Sequence, residues 1–530
     1  MPRRTRTTVL AATALAGLIV ALVPGSASAQ ATATENAENA PAACKSRPND
    51  TLRDLLECVT VNGVRSHLEA FQRIADNTGG TRASGTPGYD RSVDYVLKKL
   101  RQAGYSPSVQ RFDFPFFEEL SPPVFEQTAP TARTFVADTD FATMEFSGSG
   151  EVVAPITAVD LLLPPVGGST SGCEASDFAG FPAGNVALIQ RGTCGFVDKA
   201  VNAEAAGASA AIIFNEGNST PDRTELLFGT LGEPGVTIPV LGTTFALGED
   251  LAGGPATVHI ETDTFGEIRR TANVIADLPG KRARVIQVGG HLDSVTAGPG
   301  INDNGTGSAA ILELAVQMAH SHPINTVRFS WWGAEEANLV GSDFYVNDLA
   351  ANAPRELNRI KAYLNFDMVG SPNFARFIYD GNQSEFPEDL VPVPPGSAEI
   401  EALFEKFYSD RGLAFEDTAF DGRSDYQAFA LAGIPAGGLF TGAEDTKTPE
   451  QAALYGGQAG EAFDPCYHQE CDTIGNFNRE VLRQNADAIA FATFKLATAR
   501  DLPGEAASAT ATAEAAGRDR TGFNPHRAAA

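Results

Sequence analysis

The chain has 530 residues, of which 43% are hydrophobic and 20% are charged. This length predicts two or three domains, and the composition excludes wholesale disorder and collagen-like architectures. The formal net charge of -27 argues against nucleic acid and anionic membrane surfaces as partners, because a polyanion repels both.

The first 29 residues have the pattern of a secretory signal peptide. The arginines Arg3, Arg4 and Arg6 precede an apolar run at residues 9–23, and small residues follow at 27–29. The run is too short for a membrane anchor, and no later segment reaches a spanning length without charges. We therefore expect a secreted, extracellular protein without membrane contact, and a monomer.

The six cysteines agree with an oxidising compartment. They fall into three pairs that are close in sequence: Cys44 and Cys58, Cys173 and Cys194, and Cys466 and Cys471. A thiolate zinc site would need four convergent ligands, and nowhere do four cysteines cluster along the chain. We expect three local disulfide bonds.

Composition divides the chain into six parts. They are a signal peptide (1–29), a flexible leader or propeptide (30–50), the N-terminal part of the main domain with its connection (51–145), a β-rich module (146–265), an α/β domain (266–500) and a disordered tail (501–530). Helical periodicity covers residues 64–74 and 93–100, with a glycine-dense loop at 79–88 between them. This loop is as consistent with a plain surface connection as with a functional role.

Strands and helices alternate from residue 266 onwards. Strands are predicted at 284–288, 326–332 and 360–366, and helices at 308–321, 338–349, 398–411 and 479–498. The alternation predicts an α/β fold with a mixed, mainly parallel sheet sandwiched by helices. In such a sheet, ligands gather beyond the carboxyl ends of the strands. The module at 146–265 instead shows short β-type runs between Gly/Pro turns, with one helical stretch.

Polar residues follow the ends of the three predicted strands. His291 and Asp293 follow the first strand, Glu335 and Glu336 the second, and Asp367 the third. Because a sheet delivers its strand-end residues to one rim, we expect these side chains to lie close together.

Two further candidate ligands lie in loops. Asp303 is in the glycine-rich stretch 300–307, and His468 follows Tyr467 inside the short loop that the last cysteine pair would close. Mixed imidazole and carboxylate donors suit zinc, with cobalt or manganese as substitutes. Two histidines and three carboxylates exceed one tetrahedral shell and suit two metals about 3.5–4 Å apart, bridged by a carboxylate and a water or hydroxide. The acid pair 335–336 supplies a base beside a ligand, and Asp293 is placed to orient His291.

These motifs resemble those of the zinc aminopeptidases of peptidase family M28, closest to secreted bacterial enzymes of the Streptomyces leucine-aminopeptidase type. The matching stretches are residues 290–294, 302–307, 333–336, 365–368 and 466–468. The resemblance implies a zinc-dependent exopeptidase fold with two zinc ions per chain. It also implies hydrolysis of the N-terminal residue from peptides or proteins by a metal-bridging hydroxide.

The resemblance assigns a role to each candidate ligand. It implies that His291 and Asp367 bind one zinc ion, that Glu336 and His468 bind the other, and that Asp303 bridges them. It further implies a cis peptide bond after Asp303.

The resemblance also implies four groups that act on substrate. Glu335 is implied as the general base, and Tyr467 as the hydroxyl that stabilises the oxyanion. Arg423 would fix substrate near the metals, with a surface ion pair as the alternative interpretation. Phe440 would line the pocket for the first side chain, with core packing as the alternative, and an apolar pocket would favour Leu, Phe or Met.

The middle module is similar to a protease-associated (PA) domain. The similarity rests on residues 185–196, Lys199, 206–208 and 212–215. Such a domain is inserted into the catalytic domain and is thought to influence substrate access. The helices of residues 51–104 should then pack on the catalytic sheet across the insertion.

Two other functions remain open from the sequence. A glutaminyl cyclase-like acyltransferase on the same fold would work with one zinc ion. A non-catalytic PA-bearing binding protein would lack a ligand or a base, and none is missing here. A carboxypeptidase is disfavoured because a substrate carboxylate would want several cations, and only Arg423 is found.

Overall fold

The computed structural model describes residues 40–218, 220, 223–387 and 390–505, and all structural statements concern these residues. The expected signal peptide at 1–29 and residues 506–530 of the expected tail lie outside the described residues. None of the helices in the described ranges combines the length and the hydropathy needed to cross a membrane.

Three helices open the described chain. They are α1 (Leu52–Cys58), α2 (Val61–Asp76) and α3 (Pro87–Ala103). Each begins after a threonine whose hydroxyl accepts a backbone N–H of the first turn: Thr51, Thr60 and Thr86. Helix α3 ends at Gly104, whose φ of 102° is the left-handed conformation that a glycine adopts freely.

Eight strands and two helices follow, up to residue 278. They are β1 (Ser108–Ala129), β2 (Arg133–Thr134), β3 (Phe141–Thr143), β4 (Gly150–Ala158), β5 (Val186–Gln190), α4 (Phe196–Ala205), β6 (Ala210–Phe214), β7 (Val240–Thr243), α5 (Phe245–Ala252) and β8 (Thr257–Leu278). Strands β5, β6 and β7 pair in parallel and are buried at every residue. Strands of this kind are covered on both faces, and for this reason their sequences are nearly continuous apolar runs.

The remaining strands and helices form the α/β domain. They are β9 (Arg282–His291), α6 (Gly307–Met318), β10 (Asn325–Trp332), α7 (Val340–Asn352), α8 (Pro354–Leu357), β11 (Ile360–Phe366), β12 (Phe377–Tyr379), α9 (Ser397–Ser409), β13 (Glu416–Thr418), α10 (Tyr426–Leu431), β14 (Ala436–Phe440), α11 (Pro449–Tyr455) and α12 (Arg479–Thr498). The sheet runs in the order β13-β12-β14-β11-β9-β10-β8. Strands β14, β11, β9 and β10 pair in parallel, whereas β12 and β8 join antiparallel. The predicted mixed, mainly parallel α/β sheet is confirmed.

Helices cover both faces of this sheet. On one face, Val64, Leu68 and Phe71 of α2 share a hydrophobic cluster with Ile286 and Val288 of β9. The helices of the N-terminal segment therefore pack on a sheet whose strands begin far later in the chain. On the other face, a second cluster joins strand and helix side chains, among them Trp332, Tyr345, Tyr363 and Phe429.

A long two-stranded antiparallel ribbon, formed by β1 and β8, links the two parts of the sheet. Strands β1 and β8 pair from Ser108↔Ile275 to Ala129↔Thr257. One end of β8 pairs with β10, and its other end pairs with β4, from which the order continues β5-β6-β7-β3. The module between β1 and β8 is thus an insertion, and the points where the chain enters and leaves it lie side by side.

All six cysteines are paired in the structure: Cys44–Cys58, Cys173–Cys194 and Cys466–Cys471. The first bond ties residue 44 to the end of α1, and the second joins two loops of the inserted module.

The ends of the described chain are more ordered than the composition predicts. Within the expected flexible leader, residues 42–45 form a 3-10 helix, and Asn49 is buried with its side-chain amide donating to the carbonyl of Gln317. Within the expected tail, Leu502 is buried and Glu505 lies 2.6 Å from Arg284. Specific side chains therefore anchor residues 40–50 and 501–505, two segments for which the composition predicts flexibility or disorder.

Candidate metal centre and active site

Three neighbouring strands bring four of the predicted residues to one rim. Strand β9 ends at His291, Glu335 and Glu336 follow β10, and Asp367 follows β11. Strand β9 pairs in parallel with both β10 and β11. Their carboxyl ends therefore coincide, which is where an α/β sheet presents its ligand site.

Two loops supply the other predicted ligands. Asp303 lies in the turn Ile301–Thr306, where its φ of -103° and ψ of 102° are not helical, and the peptide bond that follows it is cis. His468 has a φ of 56°, in the left-handed region, and lies inside the loop closed by the Cys466–Cys471 disulfide. A non-glycine residue needs support to keep this conformation, and a short cross-linked loop restricts the alternatives.

The five candidate ligands converge. Nε2 of His291 lies 3.2 Å from Oδ1 of Asp367 and 3.3 Å from Oδ1 of Asp303. Nε2 of His468 lies 3.2 Å from Oδ2 of Asp303 and 3.0 Å from Oε2 of Glu336. The two oxygens of Asp303 thus face two separate imidazoles, each accompanied by one further carboxylate.

Carboxylates dominate the electrostatics of this cluster. Burial raises the pKa of Glu335 well above its usual value, and burial together with Asp303 raises that of Glu336 to about 7. Burial alone would lower the pKa of the two histidines, yet the carboxylates raise it, to about 11 for His468. The cluster therefore favours added positive charge.

The donor set fits a pair of divalent cations. His291, Asp303 and Asp367 offer three ligand atoms within 4.8 Å of one another, and so do Asp303, Glu336 and His468. Oε1 of Glu336 is buried and has no hydrogen-bond partner among the described residues. A buried carboxylate oxygen in that position is costly unless a cation or a proton occupies it.

Neighbouring side chains hold the candidate ligands in place. Oδ1 of Asp293 lies 3.6 Å from Nδ1 of His291 and accepts the backbone N–H of Glu335 at 3.3 Å. The hydroxyl of Ser424 donates to Oδ2 of Asp367 at 2.7 Å. The hydrogen bond from Ser424 fixes the orientation of Asp367 before a metal binds, whereas Nδ1 of His291 lies beyond hydrogen-bond distance of Asp293.

The turn that carries Asp303 is held by an acid that the sequence analysis did not identify. The carboxylate of Asp472 accepts the backbone N–H of Asn302 at 2.8 Å and that of Asp303 at 3.0 Å. Asp472 is buried, and it directly follows the cross-linked loop that carries His468. One segment therefore positions two candidate ligands, although a lone Asp gives no sequence signal for such a role.

The tyrosine and arginine of the predicted site lie together at its entrance. The ring of Tyr467 stacks on that of His468, with centroids 3.9 Å apart. The guanidinium of Arg423 donates to the hydroxyl of Tyr467 at 3.2 Å and pairs with Glu444 at 2.9 Å. Arg423 is thus partly neutralised by an acidic neighbour.

A cavity of about 320 Å³ opens over the cluster. Its walls include all of the candidate ligands together with Met368, Tyr379, Arg423, Phe440 and Tyr467. Phe440 ends β14, is only partly buried and stacks on Phe377 at 6.1 Å between centroids. Phe440 thus packs on a neighbour and also lines the cavity.

The glycine-dense loop at 79–88 proves to support the site. The fully buried Arg82 donates to the backbone carbonyls of Pro299 at 2.7 Å, of Gly300 at 2.5 Å and of Leu292. The hydroxyl of Ser84 accepts the backbone N–H of Ala334, directly before the acid pair. The loop is therefore more than a plain surface connection, because its buried side chains hold the backbone on both sides of the candidate ligands.

A mainly parallel α/β sheet with histidine and carboxylate donors at its rim is the arrangement that metallohydrolases use. Residues 273–493 match the family model described as Peptidase family M28, and residues 149–251 match that of the PA domain. The chain belongs to peptidase family M28. It is a metallo-aminopeptidase, a hydrolase of peptide bonds, and carries a PA domain.

Curated relatives cover most of the chain. An aminopeptidase of Pseudomonas aeruginosa is 50% identical over 457 residues, which are 86% of this chain and 84% of the relative. Leucine aminopeptidase 2 of Trichophyton rubrum is 38% identical and covers 84% of this chain and 86% of its own length.

Solved structures share the fold. The aminopeptidase from Aneurinibacillus sp. strain AM-1 has a TM-score of 0.63 at 25% identity, covering 86% of this chain and 98% of that chain. A zinc aminopeptidase from Bacillus subtilis has a TM-score of 0.54 at 24% identity, covering 84% and 97%.

Proposed function

We propose that this chain is a secreted di-zinc aminopeptidase that removes a large apolar, Leu-type residue from the N-terminus of peptides. The observation that carries the proposal is the position of Asp303, whose two oxygens lie 3.3 and 3.2 Å from two different imidazoles. That geometry suits a carboxylate that bridges two metal ions, because each ion then has one histidine and one further acid.

The distances support two ligand sets. His291 and Asp367 would hold one zinc ion, Glu336 and His468 would hold the other, and Asp303 would serve both. Imidazole and carboxylate are donors that zinc accepts, and three protein ligands per ion leave a position open for water or substrate. The identity of the metal is supported by a solved structure of the same fold that is described as a zinc aminopeptidase.

The chemistry that two zinc ions supply when bound is a lowered pKa of water and polarisation of the substrate carbonyl. The chain's own contribution begins with Glu335, whose Oε2 lies 3.8 Å from Nε2 of His291 without being one of the five ligands. This carboxylate takes the proton of the attacking water and passes it to the amine that leaves when the peptide C–N bond breaks. The hydroxyl of Tyr467, oriented by Arg423, donates to the carbonyl oxygen as negative charge develops there.

The charges around the cavity suit a free α-ammonium group. Carboxylates line its floor, and Arg423, the only arginine or lysine in its wall among the described residues, is paired with Glu444. A peptide C-terminus would find no unpaired cation in this wall, whereas an N-terminus would find several acids. The position of the substrate's first side chain is then beside Met368 and Phe440, whose apolar surfaces favour Leu, Phe or Met.

The segment that leads into the PA domain reaches the rim of the cavity. The side-chain amide of Asn338, which lines the cavity, donates to Oε2 of Glu145 at 3.3 Å. We propose that the inserted module restricts which peptides reach the site and that the enzyme acts as a monomer. Export is supported by the pattern of residues 1–29 and by the three disulfides.

The adjacent acids Glu335 and Glu336 allow a paired test. Glu335→Gln should abolish hydrolysis of Leu-4-nitroanilide while two zinc ions per chain remain bound, whereas Glu336→Gln should lose zinc as well as activity. Each variant is the other's control, since both remove one negative charge from neighbouring buried positions. Activity retained by Glu335→Gln would refute its role as the base.

Substrate class is tested with blocked and unblocked amides. Leu-4-nitroanilide should be cleaved faster than the Lys and Glu analogues, and N-acetyl-Leu-4-nitroanilide should not be cleaved. Cleavage of the acetylated substrate would contradict recognition of a free N-terminus. Cyclisation of an N-terminal Gln by protein that holds one zinc ion would point to the acyltransferase instead.

A further inference from the structure

A second cluster of acids lies behind the wall of the cavity. It consists of Asp380, directly after β12, Glu401 on α9, and Asp417 on β13. One carboxylate oxygen from each lies within 4.8 Å of the other two. None of the three belongs to the site described above or lies next to one of its ligands in sequence.

These acids are held in the interior rather than on a solvated face. Asp380 is 0% exposed and Glu401 is 1% exposed, while Asp417 is partly buried. Asp380 accepts three backbone N–H groups, those of residues 384, 385 and 386, at 2.8–3.0 Å. The loop after β12 is thereby wrapped around this carboxylate.

Glu401 has one carboxylate oxygen that no group of the described residues satisfies. Its Oε1 accepts the side-chain amide of Asn382 at 2.7 Å. Its Oε2 is buried and lacks any hydrogen-bond partner in the described part of the chain. An unpaired buried carboxylate oxygen next to two further carboxylates destabilises the fold unless a cation or a proton sits between them.

No basic side chain of the described ranges forms an ion pair with any of the three acids, and Lys406, on the same helix as Glu401, pairs with Asp410 instead. Burial, Asp417 and Glu405 raise the pKa of Glu401 to about 7, and burial and Asp380 raise that of Asp417. The negative charge of the cluster is therefore not balanced by any basic side chain of the described ranges.

We propose that Asp380, Glu401 and Asp417 bind a divalent cation, and that the cation is calcium. All the donors are oxygens, without imidazole or thiolate, which favours hard cations over zinc. Calcium accepts irregular sets of carboxylate and carbonyl oxygens, whereas magnesium demands near-ideal octahedral geometry.

The position of the site explains what the cation would do. Strand β13 has only three residues, lies at the edge of the sheet and pairs with β12 alone. The residues next to two of the acids, Tyr379 and Thr418, line the cavity. A cation shared by β12, β13 and α9 fastens this edge to a helix and so fixes one wall of the substrate cavity.

The test measures thermal unfolding of the full zinc-loaded chain after exchange into calcium-free buffer that contains zinc. Calcium chloride at about a hundredfold excess over its Kd should raise the Tm by roughly 5 °C, and magnesium chloride should do so less. Glu401→Gln should lose this shift. In calcium-free buffer its Tm should equal or exceed that of the wild type, because one repelling charge is gone.

Glu399→Gln is the matched control, since it removes the same charge from an exposed position on the same helix and should keep the shift. Asp417→Asn is the second variant, should Glu401→Gln fail to fold, and it too should lose the shift. A calcium shift that persists in the variants of the cluster would place the ion elsewhere and overturn the proposal. A wild type whose Tm does not respond to calcium would overturn the proposal as well. It would indicate that a shared proton, instead of a cation, reduces the repulsion among the three acids.

Discussion

Replacing Arg82 by Met should destabilise the catalytic domain and disorder the loop beneath the metal centre. The guanidinium of Arg82 is fully buried and donates to three backbone carbonyls between residues 292 and 300. Burial lowers its pKa to about 10, so the group stays cationic at neutral pH. Methionine fills much of the same volume but offers no donor, which isolates the loss of the hydrogen bonds.

The magnitude follows from the number of carbonyls left unsatisfied. Each buried acceptor without a partner costs about 1–3 kcal/mol, and partial relaxation of the loop brings the total to about 3–5 kcal/mol. For a domain of this size, such a loss lowers the Tm by roughly 10 °C. Zinc affinity and activity should fall too, because the loop follows His291 directly and leads to Asp303.

The assay compares Arg82→Met with Arg65→Met by thermal unfolding at saturating zinc. Arg65 pairs with Glu69 at the surface and is about half exposed, so its replacement should leave the Tm nearly unchanged. Arg82→Lys should fall between Arg82→Met and the wild type, because an ammonium can satisfy some of the carbonyls. A Tm for Arg82→Met within about 2 °C of the wild type would refute the structural role assigned to this residue.

Three other perturbations address the site itself. Asp472→Asn should weaken zinc binding by about 10–100-fold in chelator competition, because one of the oxygens that anchor the ligand-bearing turn is replaced by an N–H donor. Excess zinc should restore activity. Unchanged zinc affinity would count against this anchoring role. Cys466→Ser should release the loop that holds His468 and make activity depend on added zinc, and a variant with wild-type zinc retention would show that the cross-link is dispensable. Tyr467→Phe should lower kcat by about 100-fold with little change in KM or zinc content, whereas a rise in KM alone would indicate a binding role.

The sequence predicted those parts of the site that depend on local pattern. The ends of β9, β10 and β11 are marked by a change from apolar runs to polar residues, and a parallel sheet brings such ends together. The last helix, α12, was predicted with its observed bounds, since its apolar periodicity is long and Asn478 caps it.

Long-range contacts were not predictable in the same way. Arg82 meets carbonyls more than 200 positions later, and Glu401 meets Asp380 and Asp417 only after the sheet edge has formed. Neither pairing leaves a periodic trace, because each depends on how separate elements pack. The packing of residues 40–50 and 501–505 was missed for the same reason, since single anchors such as Asn49 and Glu505 decide it.

The most direct test is X-ray diffraction from crystals of the zinc-loaded protein, recorded on both sides of the zinc absorption edge. A di-zinc centre predicts two anomalous peaks of equal height, one bonded to His291 and Asp367 and the other to Glu336 and His468, with Asp303 in contact with both. A single peak, or a second peak outside this cluster, would contradict the two-metal centre on which the proposed chemistry depends.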